Sequence, residues 1–447
     1  MSELGACPSS FSTFLQGGAS AAEQRIVLRH LLRGCEVCRA AAGTLWSPRH
    51  SSHSSTSTQA HADSFSRVVA NLDSWEEALR KERVEAPRLL VELLPHPPAR
   101  QLMMISNSRR FQTWGFCELL VKESHELRLD DPHRAVQLGE LAVAVADALE
   151  PSHYRATLTA DLRARAWAFL ADAKRNASDL AGADTAFGHA EALLLQGTGD
   201  PLEHAQFLQL KSKLRYFQRR FEEALELLDQ ALATYRRLGE RHLAGQTLIL
   251  KGSYLGEAQA FEDSISLLQE GLHLIDAERD PRFVLMAKHN LVLYLQASGH
   301  LEEALDRLEE LRPHYAELGD STSMLRLRWL EGKLLAEQNQ YEDAQQAFRE
   351  VRDAFLEQGL TYDVAAVSMD LASAFLNQGR IEEVKVLSSE LITLFASLEI
   401  PRETYAALLL FSNAARLERV TLKLVQDLSA YLHEARKSPG TAFTGSP

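Results

Sequence analysis

Four cysteines in 447 residues, Cys7, Cys35, Cys38 and Cys117, are too few for a disulfide framework, which excludes a stapled secreted domain and fits a reducing compartment. Positive charge is in deficit too. Lys and Arg number 48 against 61 Asp and Glu, for a net charge of -13 with the two signs interspersed, so a nucleic acid would meet repulsion over most of the surface. Long apolar runs are missing: "LAVAVADALE" and "AALLLF" fall far short of the roughly 18 uninterrupted apolar residues of a membrane span. The opening "MSELGACPSS" has an acid where a signal peptide carries basic residues and no apolar stretch after it, so a cytoplasmic protein is expected. Catalytic signatures are also lacking. There is no G-x-S-x-G elbow, no GxxxxGK[ST] phosphate loop, no GxGxxG and no HExxH, and a non-enzymatic protein is expected.

What the sequence does have is a beat. "RFEEALELLDQA", "AFEDSISLLQEG", "HLEEALDRLEEL", "QYEDAQQAFREV" and "RIEEVKVLSSEL" recur in phase, placing Ala224, Ser264, Ala304, Ala344 and Val384 at intervals of 40, with Ala183 41 residues earlier. Around Ala224 the apolar positions Phe221, Leu225, Leu228, Ala231 and Leu232 follow three-and-four spacing, one stripe of a helix. Twelve residues before each anchor stand Ala171, Ser212, Gly252, Val292, Gly332 and Ala372, five of them small, as close approach of two antiparallel helices requires. Polar turns such as "RLGER", "ERDPR" and "ELGDS" separate the units. Regular Gly and Pro interruptions of this kind exclude one long coiled coil.

This pattern is similar to the tetratricopeptide repeat, whose helix pairs set a small residue twelve positions before an alanine and a large apolar residue four after it, here Phe187, Leu228, Leu268, Leu308 and Phe348. The departures are a period of 40 rather than about 34, a consensus Trp present only as Trp167, and Ser388 in the last large apolar position. The resemblance implies an all-α, right-handed superhelical solenoid of helix hairpins. The expected organisation is a small helical module at 1–46, a Ser/His-rich linker at 47–62, a helical cap at 63–129, repeats at 130–400, capping helices at 401–438 and a loose tail at 439–447.

The N-terminal "HLLRGCEVC" sets His30 before a CxxC, and two thiolates two residues apart can face one tetrahedral zinc ion. It resembles the zinc-binding domain of bacterial anti-sigma factors, though with one residue more between His and Cys. On a continuous helix His30 and Cys35 would lie about 140° apart, and a turn at Gly34 would bring them together. Cys7, His50 and His53 compete for the fourth ligand. The resemblance implies a structural zinc and a sigma factor as partner. The other reading is an amphipathic helix with ordinary interior His and Cys, and both stand open from sequence.

A solenoid binds along its concave surface, lined by the first helix of each pair. Projecting the repeat phase, the side chains expected there include Gln209, Lys213, Ile249, Ser253, His289, Trp329, Lys333 and Met369. Trp329 and Lys333, four apart on one helical face, could anchor a peptide, or Trp329 could be packed between repeats. The expected function is a scaffold or regulator that holds a protein partner. The alternative is a sensor whose superhelix closes on a peptide or small ligand.

Overall fold

The computed structural model describes residues 57–318, 321–396 and 402–437, with the isolated positions Thr13, Glu23, Val27 and Phe443. The chain divides into two units, Met1–Thr247 and Leu248–Pro447, with the division inside one helix. Among the described residues there are helices and turns and no strand.

The first unit begins with α1 (Ser57–Leu93), which starts inside the Ser-rich stretch, followed by α2 (Pro98–Asn107), α3 (Trp114–Leu127), α4 (Pro132–Ala148) and the single turn α5 (Pro151–Tyr154). Then come α6 (Ala156–Asn176), α7 (Leu180–Leu194), α8 (Pro201–Phe217), α9 (Phe221–Leu238) and the dividing helix α10 (Arg241–Glu257). The second unit continues with α11 (Phe261–Leu274), α12 (Pro281–Ala297), α13 (Leu301–Leu318), α14 (Ser321–Glu337) and α15 (Tyr341–Glu357). It ends with α16 (Thr361–Asn377), α17 (Ile381–Ala396), α18 (Arg402–Arg416) and α19 (Leu422–Lys437).

Helix α1 is held on the N-terminus of α3. Glu82 accepts hydrogen bonds from the Gly115 backbone N–H at 3.1 Å and from the Tyr154 hydroxyl at 2.8 Å, so a carboxylate of one helix satisfies an end group of another. Gly115 permits the approach: a Cβ there would lie 2.7 Å from the Arg83 backbone nitrogen.

The phased residues form the hairpin contacts. Ala183, Ala224, Ser264, Ala304, Ala344 and Val384 have no exposed surface, and the partners twelve residues earlier are all buried. In the α10/α11 hairpin the Ser264 hydroxyl donates to the Gly252 carbonyl at 2.7 Å, while in α14/α15 a Cβ on Gly332 would sit 2.7 Å from the Phe348 ring. Phe187, Leu228, Leu268, Leu308 and Phe348 fill the space behind, each contributing about 1.5–3 kcal/mol by burial. Ser388, at the next equivalent position, is buried with its hydroxyl donating to the Lys385 carbonyl.

Each hairpin from α6/α7 to α18/α19 bends at a left-handed residue: Ser178, Arg219, Gln259, Gly299, Asn339, Gly379 and Glu418, with φ between 55° and 84°. The N–H of the following residue closes every bend onto a carbonyl five positions earlier at 2.9 Å, from Asp179 to Lys174 through to Arg419 to Ala414. The bend at Glu418 shows that α18 and α19 form a further hairpin. Its last helix packs on α16, and Val425, Leu428 and Leu432 join the same core as Phe375.

Within each unit the first helices of successive hairpins touch one another, α3 to α6 and α6 to α8 in the first unit, α12 to α14 and α14 to α16 in the second. The second helices reach each other through long side chains, as Arg352 does to Glu390 at 3.3 Å. The first helices are therefore the inner layer of each stack.

Candidate functional site

In the second unit Trp329 and Lys333 do meet, and a third residue joins them. The Trp329 indole N–H donates to Asp370 Oδ2 at 2.6 Å, Lys333 Nζ lies 3.3 Å from the same oxygen, and Nζ sits 5.3 Å from the Trp329 ring centre. Asp370 comes from α16, so two adjacent first helices are tied through one carboxylate. The Trp329 ring stands edge-on to Phe355 and remains half-buried. His289 of α12 shares a 2.7 Å hydrogen bond with the Tyr315 hydroxyl. Burial, with the charges of Arg326 and Lys333 nearby, lowers its pKa to about 4 and keeps it neutral near pH 7.

Of the other projected positions, Lys213 of α8 is half-buried, and Gln209, Ile249, Ser253 and Met369 are buried. Ile249 and Met369 have no exposed surface and belong to the apolar cores of the second unit, so a partner on the surface would not reach them. Gln209 is buried as acceptor for the Tyr235 hydroxyl at 3.2 Å, and Ser253 as donor to the Ile249 carbonyl and acceptor from Asn290 Nδ2 at 3.1 Å. Helical side chains lean toward the N-terminus of their helix, which tucks these positions between neighbouring hairpins.

The first unit has a different cluster. Asp172 of α6 is 1% exposed; its Oδ1 accepts from Arg175 Nη2 at 2.8 Å and its Oδ2 lies 3.9 Å from Arg128 Nε. Burial alone would raise its pKa, but Arg175 and Lys213 outweigh it and hold the carboxyl well below the usual range. His125, packed edge-on against Phe169, is driven down to about 3 by burial, with Arg128 and Lys213 adding to the effect. His125 Nδ1 and Asp172 Oδ2 are buried and make no hydrogen bond among the described residues. Arg175 also stacks over the Phe217 ring at 4.8 Å.

Charge is partitioned between the two helices of the repeats. From α6 to α17, the six first helices carry 14 Lys and Arg against 8 Asp and Glu, and the six second helices 7 against 23. The forty-residue period carries no sign of this partition, nor of Asp370 and Arg326. A count of charge by repeat half would have shown the partition.

Cys7, His30, Cys35 and Cys38 lie outside the described residues. Among the described residues no three His, Cys, Asp or Glu are grouped to hold a metal, and no helix is long and apolar enough to cross a membrane. Cys117 is buried against the Ala142 carbonyl at 3.5 Å, and burial pushes its thiol up to about 12, so it stays protonated.

No family model matches the chain, and no curated protein does. Solved structures are similar. A Rap protein in complex with competence and sporulation factor shares 14% identity over 72% of this chain and 87% of its own, with a TM-score of 0.53. Aspartyl phosphate phosphatase F from Bacillus subtilis shares 11% over 89% and 97%, with a TM-score of 0.49. The apo form of the quorum sensor NprR from B. thuringiensis shares 13% over 70% and 80%, also at 0.49. At such identity the likeness to the Rap protein is one of fold: this chain is an all-helical tandem of tetratricopeptide-like hairpins.

Proposed function

We propose that this chain is a non-enzymatic, cytoplasmic interaction protein whose inner layer of first helices holds a polypeptide segment of a partner. The observation that supports it is the Trp329–Lys333–Asp370 assembly, a half-exposed indole fixed by an adjacent hairpin on the layer where such stacks bind. The N-terminal module, with His30, Cys35, Cys38 and Cys7 around a structural zinc, makes a second contact in this reading, with a sigma factor as the partner its resemblance suggests. Two tethered contacts strengthen each other through effective concentration.

A photo-crosslinking residue in place of Lys333, with one in place of Glu310 on a second helix as control, tests the layer. Partner capture at 333 and not at 310 is expected; the reverse removes the proposal. Deleting residues 1–62 is expected to weaken capture, and zinc content compared between wild type and Cys35→Ser checks the metal. A second reading rests on the fold likeness to the Rap protein solved with competence and sporulation factor: a regulator that senses a short peptide. It predicts compaction in solution scattering when the peptide is added.

A further inference from the structure

We propose that the inner layer of the second unit, around Arg326 and Trp329, selects an acidic polypeptide segment, with a carboxylate on Arg326 and a neighbouring apolar side chain on Trp329 and Met286. The inference rests on the reading of that layer as a polypeptide site. Arg326, Trp329 and Lys333 follow one another at intervals of three and four along α14 and share a face. Met286 occupies on α12 the position that Arg326 occupies on α14, 40 residues later, and is 38% exposed.

The charges around this face are unequal. Lys333 is met by Asp370, and Glu331 on α14 is engaged by Arg312 at 2.5 Å and Arg328 at 3.2 Å. Asp363 on α16 is buried. Arg326 is exposed and makes no hydrogen bond or ion pair among the described residues, and both it and Lys333 act on the neutral His289. Helix α12 carries Arg282 and Lys288 and no acid at all, whereas α13, its hairpin partner, has six acids against two arginines. An arginine without a carboxylate beside an indole face, on the least acidic layer of a protein of net charge -13, is complementary to an acid flanked by an apolar residue. A nucleic acid fits less well: phosphates recur along a backbone, and the second helices would repel them.

The test is affinity selection of random heptapeptides on the full-length protein, repeated with Arg326→Glu and Trp329→Ala. Exposed Arg326 makes no hydrogen bond or ion pair among the described residues, so the Glu variant should melt like the wild type. Wild type is expected to enrich peptides with Asp or Glu next to Leu, Phe or Tyr, and Arg326→Glu to weaken those peptides about tenfold, the loss of one charge-assisted contact, while shifting the enrichment toward Lys and Arg. Enrichment with no preference for acid, enrichment unchanged by Arg326→Glu, no enrichment, or retention of a single-stranded oligonucleotide through Arg326 would each overturn the inference. If partner capture at position 333 persists beside any of these, the broader reading stands and only the acid preference falls.

Discussion

In the first unit the charges of the inner layer are turned against one another in a buried cluster, with Asp172 closed off among Arg175, Arg128 and Lys213. In the second unit the corresponding layer ties Trp329 and Lys333 to an Asp370 that keeps 19% of its side chain in solvent, and leaves Arg326 facing outward. The same kind of hairpin supports both. Depth decides which use a charge has: ions withdrawn from water hold helices in place, and ions at the rim stay available to a ligand.

The contrast is broken most directly by neutralising each carboxylate. Asp172→Asn leaves buried cations without their counter-charge and should destabilise the first unit by about 3–5 kcal/mol, whereas Asp370→Asn in its wetter setting should cost under about 1 kcal/mol. Urea unfolding followed by hydrogen exchange within each unit measures both, and equal losses would erase the distinction.

Packing differs between individual glycines as well, in either unit. Gly332→Val in the second unit drives a side chain into the Phe348 ring and should cost about 1–3 kcal/mol, partly recovered in the double variant with Phe348→Leu. Gly188 of α7 in the first unit has nothing within 4 Å of its would-be Cβ, so Gly188→Ala should stabilise by roughly 0.5–1 kcal/mol. Thermal melting gives both signs.

Acid should act on both units, for the same reason. The pKa values of His125 and His289 are lowered by burial from 6.5 to about 3 and about 4, so the unfolded chain binds protons more readily. Their contribution is full above about pH 6.5 and is lost as pH falls toward each folded value, with a slope of up to about 1.4 kcal/mol per pH unit and histidine. His125→Phe should flatten that slope in the first unit while the second keeps it. The smallest effect is at the bends. Gln259→Gly should stabilise by up to about 1 kcal/mol, because glycine takes the left-handed conformation without the Cβ clash, and Gly379→Ala should cost a similar amount. Unchanged melting in both would remove the strain argument.

The hairpins were legible because a buried contact must recur with the repeat: Ala224 and Ser212, or Ala344 and Gly332, are linked by spacing alone. The meeting of Trp329 with Lys333 was legible as well, being a property of one helix. Asp370 was not, since it reaches Trp329 from the next hairpin, and the rotation between hairpins is absent from a one-dimensional pattern. Asp172 and Arg175 stand three residues apart, a spacing common to surface ion pairs, and only their burial reveals the cluster. The apolar side chains of Ile249 and Met369 already argued for the interior, which a projection by phase alone ignored.

The seven bends are occupied by Ser, Arg, Gln, Gly, Asn, Gly and Glu, and what closes them is main-chain hydrogen bonding. Inheritance is thus free to rewrite these corners letter by letter while the stacking within each unit persists. An architecture kept in this manner can outlive every recognisable word of its ancestry.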